Sequence, residues 1–558
     1  MSNQNSTKLF DNELVEVLVD IEDSFIFEAK PNQKLVSNGK LADLEIDKNF
    51  NLNYAFVPLG LILEGSIIVN KNGKDSKALT KGDYIGLFET ADYLINSTFR
   101  QIGDWNLTTE TDTKILFFTQ DFWQQKNQAT CNFKELIINK AKNNSVPLPL
   151  TSLPLLDYIA FHTTQSRLDD YAIIAHTHLL PNQVPLFRHL ASLVGTNRIF
   201  VISKPYSTVN SAYIELTNSG IEVIPIKLKA GFPYSFCAKD PIEAMWYKLL
   251  ESRKHNSFNK LLILDDGGDL WTTIPWHKIG DLQITGTEQT QRGITRIIDS
   301  KMQLPAIVSV ATSGVKKIIE SVFIAKSVVD EIKKQVDLAN KNIGIIGMGS
   351  IGHSIYQDLK QKYSNIFYYD INSTNYGDGY MSNLSYLVQK CDIIIGATGV
   401  DTLHDLPFER IIGNKILISA SSADVEFESI LRFLPDRDDD IFGVQNIQVH
   451  EHLNFKILNG GYPINFNRTH NATPDNEIVL TRCLLYIGMM QAVEIIKNQN
   501  HKVGFYNLDT IAQTKLLHKW FTDFPVESKD FELDQELDNI DKGKIPEFIT
   551  MDGTVWKE

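Results

Sequence analysis

The chain reads as a two-lobed α/β protein with doubly wound parallel sheets, preceded by an antiparallel β-barrel. Three observations lead there. Short alternating segments punctuated by Asn-Gly and Lys-Gly-Asp turns fill residues 25–123, strands alternate with amphipathic helices from Leu155 onward, and a second such alternation opens at Asn342. With 558 residues the chain exceeds what one core serves, so about three domains are expected.

The elements follow in order. "LILEGSIIVNKNGK", "KALTKGDYIGLF" and "TKILFFTQDFW" alternate around hairpin turns and predict a small barrel within residues 1–128. Residues 129–154 begin with the helix-like "FKELIINKAK" and then become polar and proline-bearing, the composition of a linker. "YAIIAHTH", "PLFRHLASLVG", "RIFVISKPYS", "SAYIELTNSG" and "IEVIPIK" predict a parallel-sheet domain over 155–325, completed by 463–505. The helical stretch "SGVKKIIESVFIAKSVVDEIKKQVDLAN" is a hinge leading into a second α/β domain over 326–462. The acidic "ESKDFELDQELDNIDKGK" belongs to a C-terminal extension, 506–558, read as solvated surface.

Composition narrows the function classes. Net charge is −14 and no basic cluster is interleaved with aromatics, which argues against bulk nucleic-acid or anionic-membrane binding. No run of about 18 uninterrupted apolar residues is present. "MSNQNSTKLFDNELVEV" lacks a basic start followed by an apolar run and a small-residue cleavage site, so a cytoplasmic location is expected. Cys131, Cys237, Cys391 and Cys483 are too dispersed for a disulfide framework or a metal site and are read as buried thiols.

The chemistry is written most clearly in "NIGIIGMGSIGHSIYQDL". Gly347, Gly349 and Gly352 form G-x-G-x-x-G between an apolar strand and a helix. The first glycine permits the turn, the second lets backbone approach a pyrophosphate, and the third lets helix and strand pack closely. The next strand, "NIFYYD", ends in Asp370, 18 residues after Gly352, where a carboxylate accepts from a ribose diol and repels a 2′-phosphate. "CDIIIGATG" then supplies a buried strand and a small-residue turn at Thr398 and Gly399. Together these cues make a Rossmann-type lobe that binds NAD; the alternative is such a fold without its ligand.

From about Asp170 to Asn500 the chain resembles the S-adenosylhomocysteine hydrolase family. "LLILDDGGDL", "GTEQTQRG", "LPAIVSVATSGVKKIIES", "KILISASSADVEF" and "LNGGYPINF" fall in the family's order. The resemblance implies a two-lobed NAD fold and redox-neutral chemistry. Hydride leaves a ribose 3′-carbon, a base takes the acidified 4′-proton, a thiol leaves, water adds and hydride returns. It implies an acid/base role for Asp266, for which a strand-end cap is the other reading, and places His178 just before the adenine-contacting segment, with an exposed or satisfied histidine as the other reading. It aligns Lys316 and Glu320, after a one-residue shift, with a pair that grips the ribose hydroxyls; a surface ion pair is the alternative. Thr290 falls in the family's cofactor loop.

This chain departs from that pattern at several points. The family's ribose-facing glutamate aligns with Gln289, for which Glu288 substitutes if the loop slides by one. Its catalytic histidine aligns with Ser422, two of its three loop threonines with Gln291 and Arg292, and an adenine-region glutamate with Asn182. His470 lies only near the family's Gly-His-Pro hinge. These departures point away from homocysteine release. Residues Gly60 to Glu89 resemble a cyclic-nucleotide-binding domain, with Glu89 as a ribose-binding carboxylate and Arg100 as the nearest arginine, outside the expected spacing. A barrel used for pairing or for sensing something else is the other reading.

The expectation is therefore an NAD protein acting on a small, nucleoside-like or polyol substrate by transient oxidation, with Asp266, Glu288, Lys316, Glu320 and His178 as acid/base or substrate-gripping groups. Gly347, Gly349, Gly352, Asp370, Thr398, Gly399 and Thr290 would hold the cofactor. Two alternatives stay open: an inactive relative that keeps NAD as a structural or regulatory ligand, and a dehydrogenase with net hydride transfer. A homo-oligomer is expected, with no nucleic-acid, membrane or metal partner.

Overall fold

Asn-Gly and Lys-Gly-Asp turns at the front of the chain, and β-rich runs between longer helices behind it, give two kinds of architecture in a computed structural model. It describes residues 24–118 apart from 38–39, 42–58, 72–73, 88–89, 91–93 and 95–104; residues 122, 133–134 and 137; and residues 153–542 apart from 164–166, 230–231, 373–376, 435–440, 467–471 and 499–501. The chain divides into two compact units. One comprises Met1–Leu148, Val209–Ile214 and Arg468–His470; the other comprises Pro149–Thr208, Glu215–Asn467 and Asn471–Glu558.

The first unit contains two antiparallel sheets. β1 (Ser24–Ala29), β9 (Thr113–Phe118), β4 (Gly60–Glu64) and β7 (Tyr84–Ile85) form one, in that order. β3 (Lys40–Leu41), β2 (Lys34–Ser37), β8 (Trp105–Thr109), β5 (Ser66–Lys71) and β6 (Lys74–Thr80) form the other. Val36, Ile67 and Leu107 of one sheet and Ile62, Ile85, Ile115 and Phe117 of the other share an apolar cluster. The opposite face of β9, Leu116 and Phe118, packs with Phe122, Phe133 and Ile137. Gly65, at φ +91, turns the chain from β4 in one sheet to β5 in the other, a left-handed conformation that suits glycine. The expected barrel is not closed. Sheet edges made of strands as short as β3 and β7, with register shifts in β2, β4 and β5, do not join among the described residues. Glu89 and Arg100, the nucleotide-facing candidates of this unit, lie outside the described residues, as do His470 and Cys131.

The second unit is built on two doubly wound sheets. In the first, seven parallel strands run β12 (Glu222–Pro225), β11 (Ile199–Ser203), β10 (Tyr171–Thr177), β13 (Lys260–Asp265), β14 (Gln283–Glu288), β15 (Ala306–Ser309) and β22 (Gly504–Asn507). Burial on both faces explains the near-continuous apolar runs in these strands. The second sheet runs β17 (Ile366–Tyr369), β16 (Ile343–Ile346), β18 (Ile393–Gly396), β19 (Gly413–Ser419), β21 (Leu453–Ile457) and β20 (Gln445–His450), antiparallel only at the β20–β21 edge. Cys237, Cys391 and Cys483 are buried thiols.

Two long helices pack beside these sheets. Asp475–Lys497 packs on β13, β14 and β15; it is apolar and long enough to cross a membrane by length and composition, and 83% of its most apolar stretch is buried in the protein. The expected connecting helix opens with a π-helical turn, Lys316–Glu320, and continues as α-helix from Ser321 to Gln335. A π turn accommodates one extra residue without rotating the helix beyond it.

Strand β14 passes β13 so closely that Gly286 admits no side chain: it pairs with Ile263 at φ +154, and a Cβ would sit 1.9 Å from the Ile263 carbonyl oxygen. Gly286→Ala should therefore destabilise the chain by about 3 kcal/mol, read as a lower urea midpoint at unchanged slope.

Candidate functional site

Chain order in the seven-stranded sheet reverses between β10 and β13, which opens a crevice beyond their C-terminal ends. Three elements deliver side chains there. His178 follows β10, Lys204 follows β11, and Asp266 follows β13. Asp266 is fully buried and accepts from Lys204 Nζ at 2.5 Å on Oδ1, and from Gln289 Nε2 at 2.5 Å on Oδ2. His178 Nε2 lies 3.2 Å from the same Oδ2, while its Nδ1 lies 2.5 Å from Ser207 Oγ. These partners assign the tautomer: Nε2–H faces the anion and Nδ1 accepts from the serine hydroxyl. The ring stacks on Phe466 at 4.5 Å between centroids.

The electrostatics follow from burial and pairing. Burial alone would raise Asp266, but Lys204 and His178, by charge and hydrogen bond, hold it well below the usual carboxylate range. Burial depresses Lys204 less than the charge and hydrogen bond of Asp266, with Tyr206 and Asp269, raise it, so the ammonium stays charged. His178 is pushed down to about 4 by burial, against which the pull of Asp266 is insufficient. The cluster at neutral pH is a carboxylate, an ammonium and an uncharged imidazole.

Capping belongs to the neighbouring residue, Asp265, which accepts from Asp266 N, Leu270 N and Trp271 N. Glu288 is likewise committed to the loop: it accepts from Gly267 N and Gly268 N at 3.1 Å and from both N and Oγ1 of Thr290 at 2.8 Å. Burial, followed by the charge of Asp265, raises its carboxyl well above the usual range. The Thr290 hydroxyl also accepts from Gly293 N as the cap of the Gln291–Asp299 helix. Behind this loop His176 Nε2 meets Tyr234 Oη at 2.6 Å, with Asp265 and Asp269 on its other side.

Lys316 and Glu320 occupy the π turn and pair at 2.6 Å. They are not a surface pair: their side chains are 18% and 7% exposed, because the Asp475–Lys497 helix packs over the turn. Glu320 Oε2 is buried without a protein partner, as is Gln289 Oε1.

The other lobe shows why each glycine of the turn is needed. A Cβ on Gly347, which has φ +91, would meet Thr398 Cγ2 at 2.7 Å, and one on Gly352 would sit 1.9 Å from the Gly347 carbonyl oxygen. A Cβ on Gly349 would meet nothing within 4 Å; it would fill the space above the helix N-terminus. That cradle fits a pyrophosphate. Asp370 lies beside it, accepting from Met348 N at 2.6 Å and Asn372 N at 2.7 Å. Thr398 and Gly399 follow β18, across the reversal of strand order from β16. Their turn rests on Glu426, a buried carboxyl that accepts from Thr398 N, Thr398 Oγ1, Gly399 N and Ser421 Oγ. Burial raises Glu426, and those donors oppose the rise.

Between the two crevices runs the 288–292 loop. Gln289 bonds Asp266, while Arg292 Nη1 donates to Ser422 O at 3.2 Å and its side chain lies 3.5 Å from where a Cβ on Gly399 would be. Asp424 also bridges the lobes, accepting from Tyr234 N and Tyr462 Oη. Sequence reading missed Lys204, Ser207 and Glu426. A lysine ending an apolar strand in "VISKPYS" was a signal for the first.

Comparison with known proteins supports the cofactor. Residues 316–402 match the NAD-binding domain of the D-isomer specific 2-hydroxyacid dehydrogenases, a span that takes in the glycine turn, Asp370, Thr398 and Gly399. The chain thus carries a Rossmann-like NAD-binding domain. Two uncharacterized proteins from Mycobacterium tuberculosis strains CDC 1551 and H37Rv are each 26% identical over 357 residues, 62% of this chain and 68% of theirs. Among solved structures, cAMP-bound PfPKA-R is 12% identical over 21% of this chain and 37% of its own, at a TM-score of 0.14. The C-linker/CNBHD of zELK channels is 13% identical over 26% and 76%, at 0.18.

Two outcomes are expected. Gly349→Ala should leave the melting temperature within about 2 °C while lowering bound NAD at least about tenfold by equilibrium titration, because its methyl group meets only the cradle. For His178 the folded chain binds its proton later than the unfolded chain as pH falls. Its contribution is full above about pH 6.5 and is lost toward pH 4. Urea unfolding from about pH 7 to about pH 4.5 should therefore show a loss about 2 kcal/mol larger in the parent than in His178→Asn.

Proposed function

We propose that the protein is a divergent relative of the S-adenosylhomocysteine hydrolases that holds NAD and acts on a nucleoside-like or other polyol substrate by transient oxidation at carbon. The observation that carries this reading is the 288–292 loop, which joins Asp266 at one crevice to Ser422 and Gly399 at the other. The ordered run of resembling segments, from "DDGGDL" to "LNGGYPINF", supports it independently.

NAD supplies a reversible hydride acceptor. The remaining roles fall to side chains. His178, uncharged at neutral pH, takes a proton, and the adjoining Asp266 carboxylate stabilises the imidazolium that results. Lys204 keeps Asp266 ionised and adds fixed positive charge where an oxygen gains electron density. Lys316 and Glu320 offer a donor and an acceptor side by side, the arrangement that a vicinal diol engages. Glu288 and Thr290 hold the loop that presents Gln289 and Arg292.

One observation favours a second reading. Asp266 accepts from three donors, which suits a fixed anion better than a proton carrier, and Gln289 and Ser422 do not titrate. In that reading NAD is a structural or regulatory ligand and the first unit is a sensor or interaction module.

One experiment separates these readings. The purified chain is denatured and its released small molecules identified by mass spectrometry, and the native chain is incubated with adenosine, inosine and related nucleosides while the absorbance of reduced nicotinamide is followed. Co-purified NAD that is reduced in the presence of a nucleoside is expected, with Asp266→Asn slowing the reduction at least about 100-fold at unchanged NAD content. NAD that no nucleoside or polyol reduces would move the protein to the second reading.

A further inference from the structure

Arg482 has no task in that chemistry, yet it is costly to place. It projects from the Asp475–Lys497 helix, is 3% exposed, and burial pushes its guanidinium down to about 10 against the charges of Glu320, Asp266 and Asp475. Its bonds are few. Nε donates to the Asn182 backbone oxygen at 3.3 Å and Nη2 donates to Asn182 Oδ1 at 2.9 Å. Asn182, itself fully buried, donates from Nδ2 to Asp475 Oδ1 at 3.2 Å, which fixes its amide with the oxygen toward the guanidinium.

Nothing else in the described residues completes Arg482. Nη1 donates to no protein atom, and no carboxylate forms an ion pair with it. A buried guanidinium with part of its fork idle is poorly compensated by charges that lie beyond contact distance, unless something else accepts from it. Its surroundings locate that something. The helix carrying Arg482 packs on the π turn of Lys316 and Glu320 and on the Pro181–Gln183 turn, and Arg482 acts electrostatically on His178. Glu320 Oε2 and Gln289 Oε1, each in a residue 6% exposed, are acceptors without partners at the same end of the sheet. Arg482 Nη1 is an idle donor, and Glu320 Oε2 and Gln289 Oε1 are idle acceptors, that a molecule bearing both hydroxyls and hydrogen-bond acceptors would engage.

Resting on the nucleoside reading, we infer that Arg482 is the specificity-determining residue for the base, donating to the O6/N7 edge of a 6-oxopurine in preference to a 6-aminopurine. A guanidinium engages O6 and N7 bidentately, as arginine does with guanine edges. An exocyclic amine at the same place would set donors against donors, since arginine offers no acceptor. A site built to donate to a carbonyl rejects an analogue lacking it far more strongly than a hydrophobic pocket rejects an extra group.

The test is equilibrium binding of inosine, guanosine and adenosine to the full chain as purified, by calorimetry, with the same titrations on Arg482→Met. Inosine and guanosine are expected to bind at least about tenfold tighter than adenosine, and the variant to lose that preference. If the variant does not fold, the ranking in the parent chain decides alone. Adenosine binding as tightly as inosine, or a preference that survives in the folded variant, overturns the inference while leaving the nucleoside site standing. Binding of no nucleoside overturns the nucleoside reading and the inference with it.

Discussion

Burying the charge of Asp266 is the constraint around which the seven-stranded lobe is organised. A lone carboxylate in that position would be expelled or protonated. It is held as an anion because the ends of three other strands each bring it a donor: His178 beyond β10, Lys204 beyond β11 and Gln289 beyond β14. Those donors converge only if the strands are parallel, in this order and in this register. Asp265 and Glu288 serve the same end indirectly, since their carboxyls hold the glycine-rich turn that carries Asp266 and the loop that carries Gln289. The NAD-binding lobe repeats the device with Glu426, a buried carboxyl that holds the Thr398–Gly399 turn through four donors. In both lobes an acid that touches no solvent shapes the loop beyond a strand end.

The parts of this arrangement that were legible in the sequence are those whose physical requirement is local. Gly352 answers to Gly347, Gly347 to the turn that follows the adjoining strand, and Gly349 to the open space above the helix N-terminus, so their spacing alone announces a dinucleotide turn. Parallel strands buried on both faces announce themselves through unbroken apolar runs such as "LLILD". Asp266 stood out only through the family resemblance of "DDGGDL"; its own strand did not separate it from a strand-end cap.

What was hidden depends on partners far along the chain. Lys204 lies 62 residues from Asp266, and Arg482 lies 300 residues from Asn182. Whether Lys316 and Glu320 face water could not be read from their own helix, because the element that covers them comes more than a hundred residues later. Whether the N-terminal sheets close into a barrel depends on which edges meet, and edge pairing leaves no trace in the alternation of a single strand. Glu288 read as a free acid because sequence shows its chemistry and not the four backbone and hydroxyl donors that occupy it.

The π turn at Lys316–Glu320 sets how the chain can be compared with others. One added residue in an ordinary α-helix would rotate everything beyond it by about a quarter turn, and Phe323, Val328, Val329 and Ile332 would leave the core. The wide turn absorbs that residue where it occurs, so the inserted position is visible at the crevice and silent at the far end of the helix. Upstream and downstream of Lys316 the chain therefore keeps two different phases against any relative without the insertion. An alignment that insists on a single phase will assign apolar Val315 and Ile319 to the crevice and turn the charged pair away from it.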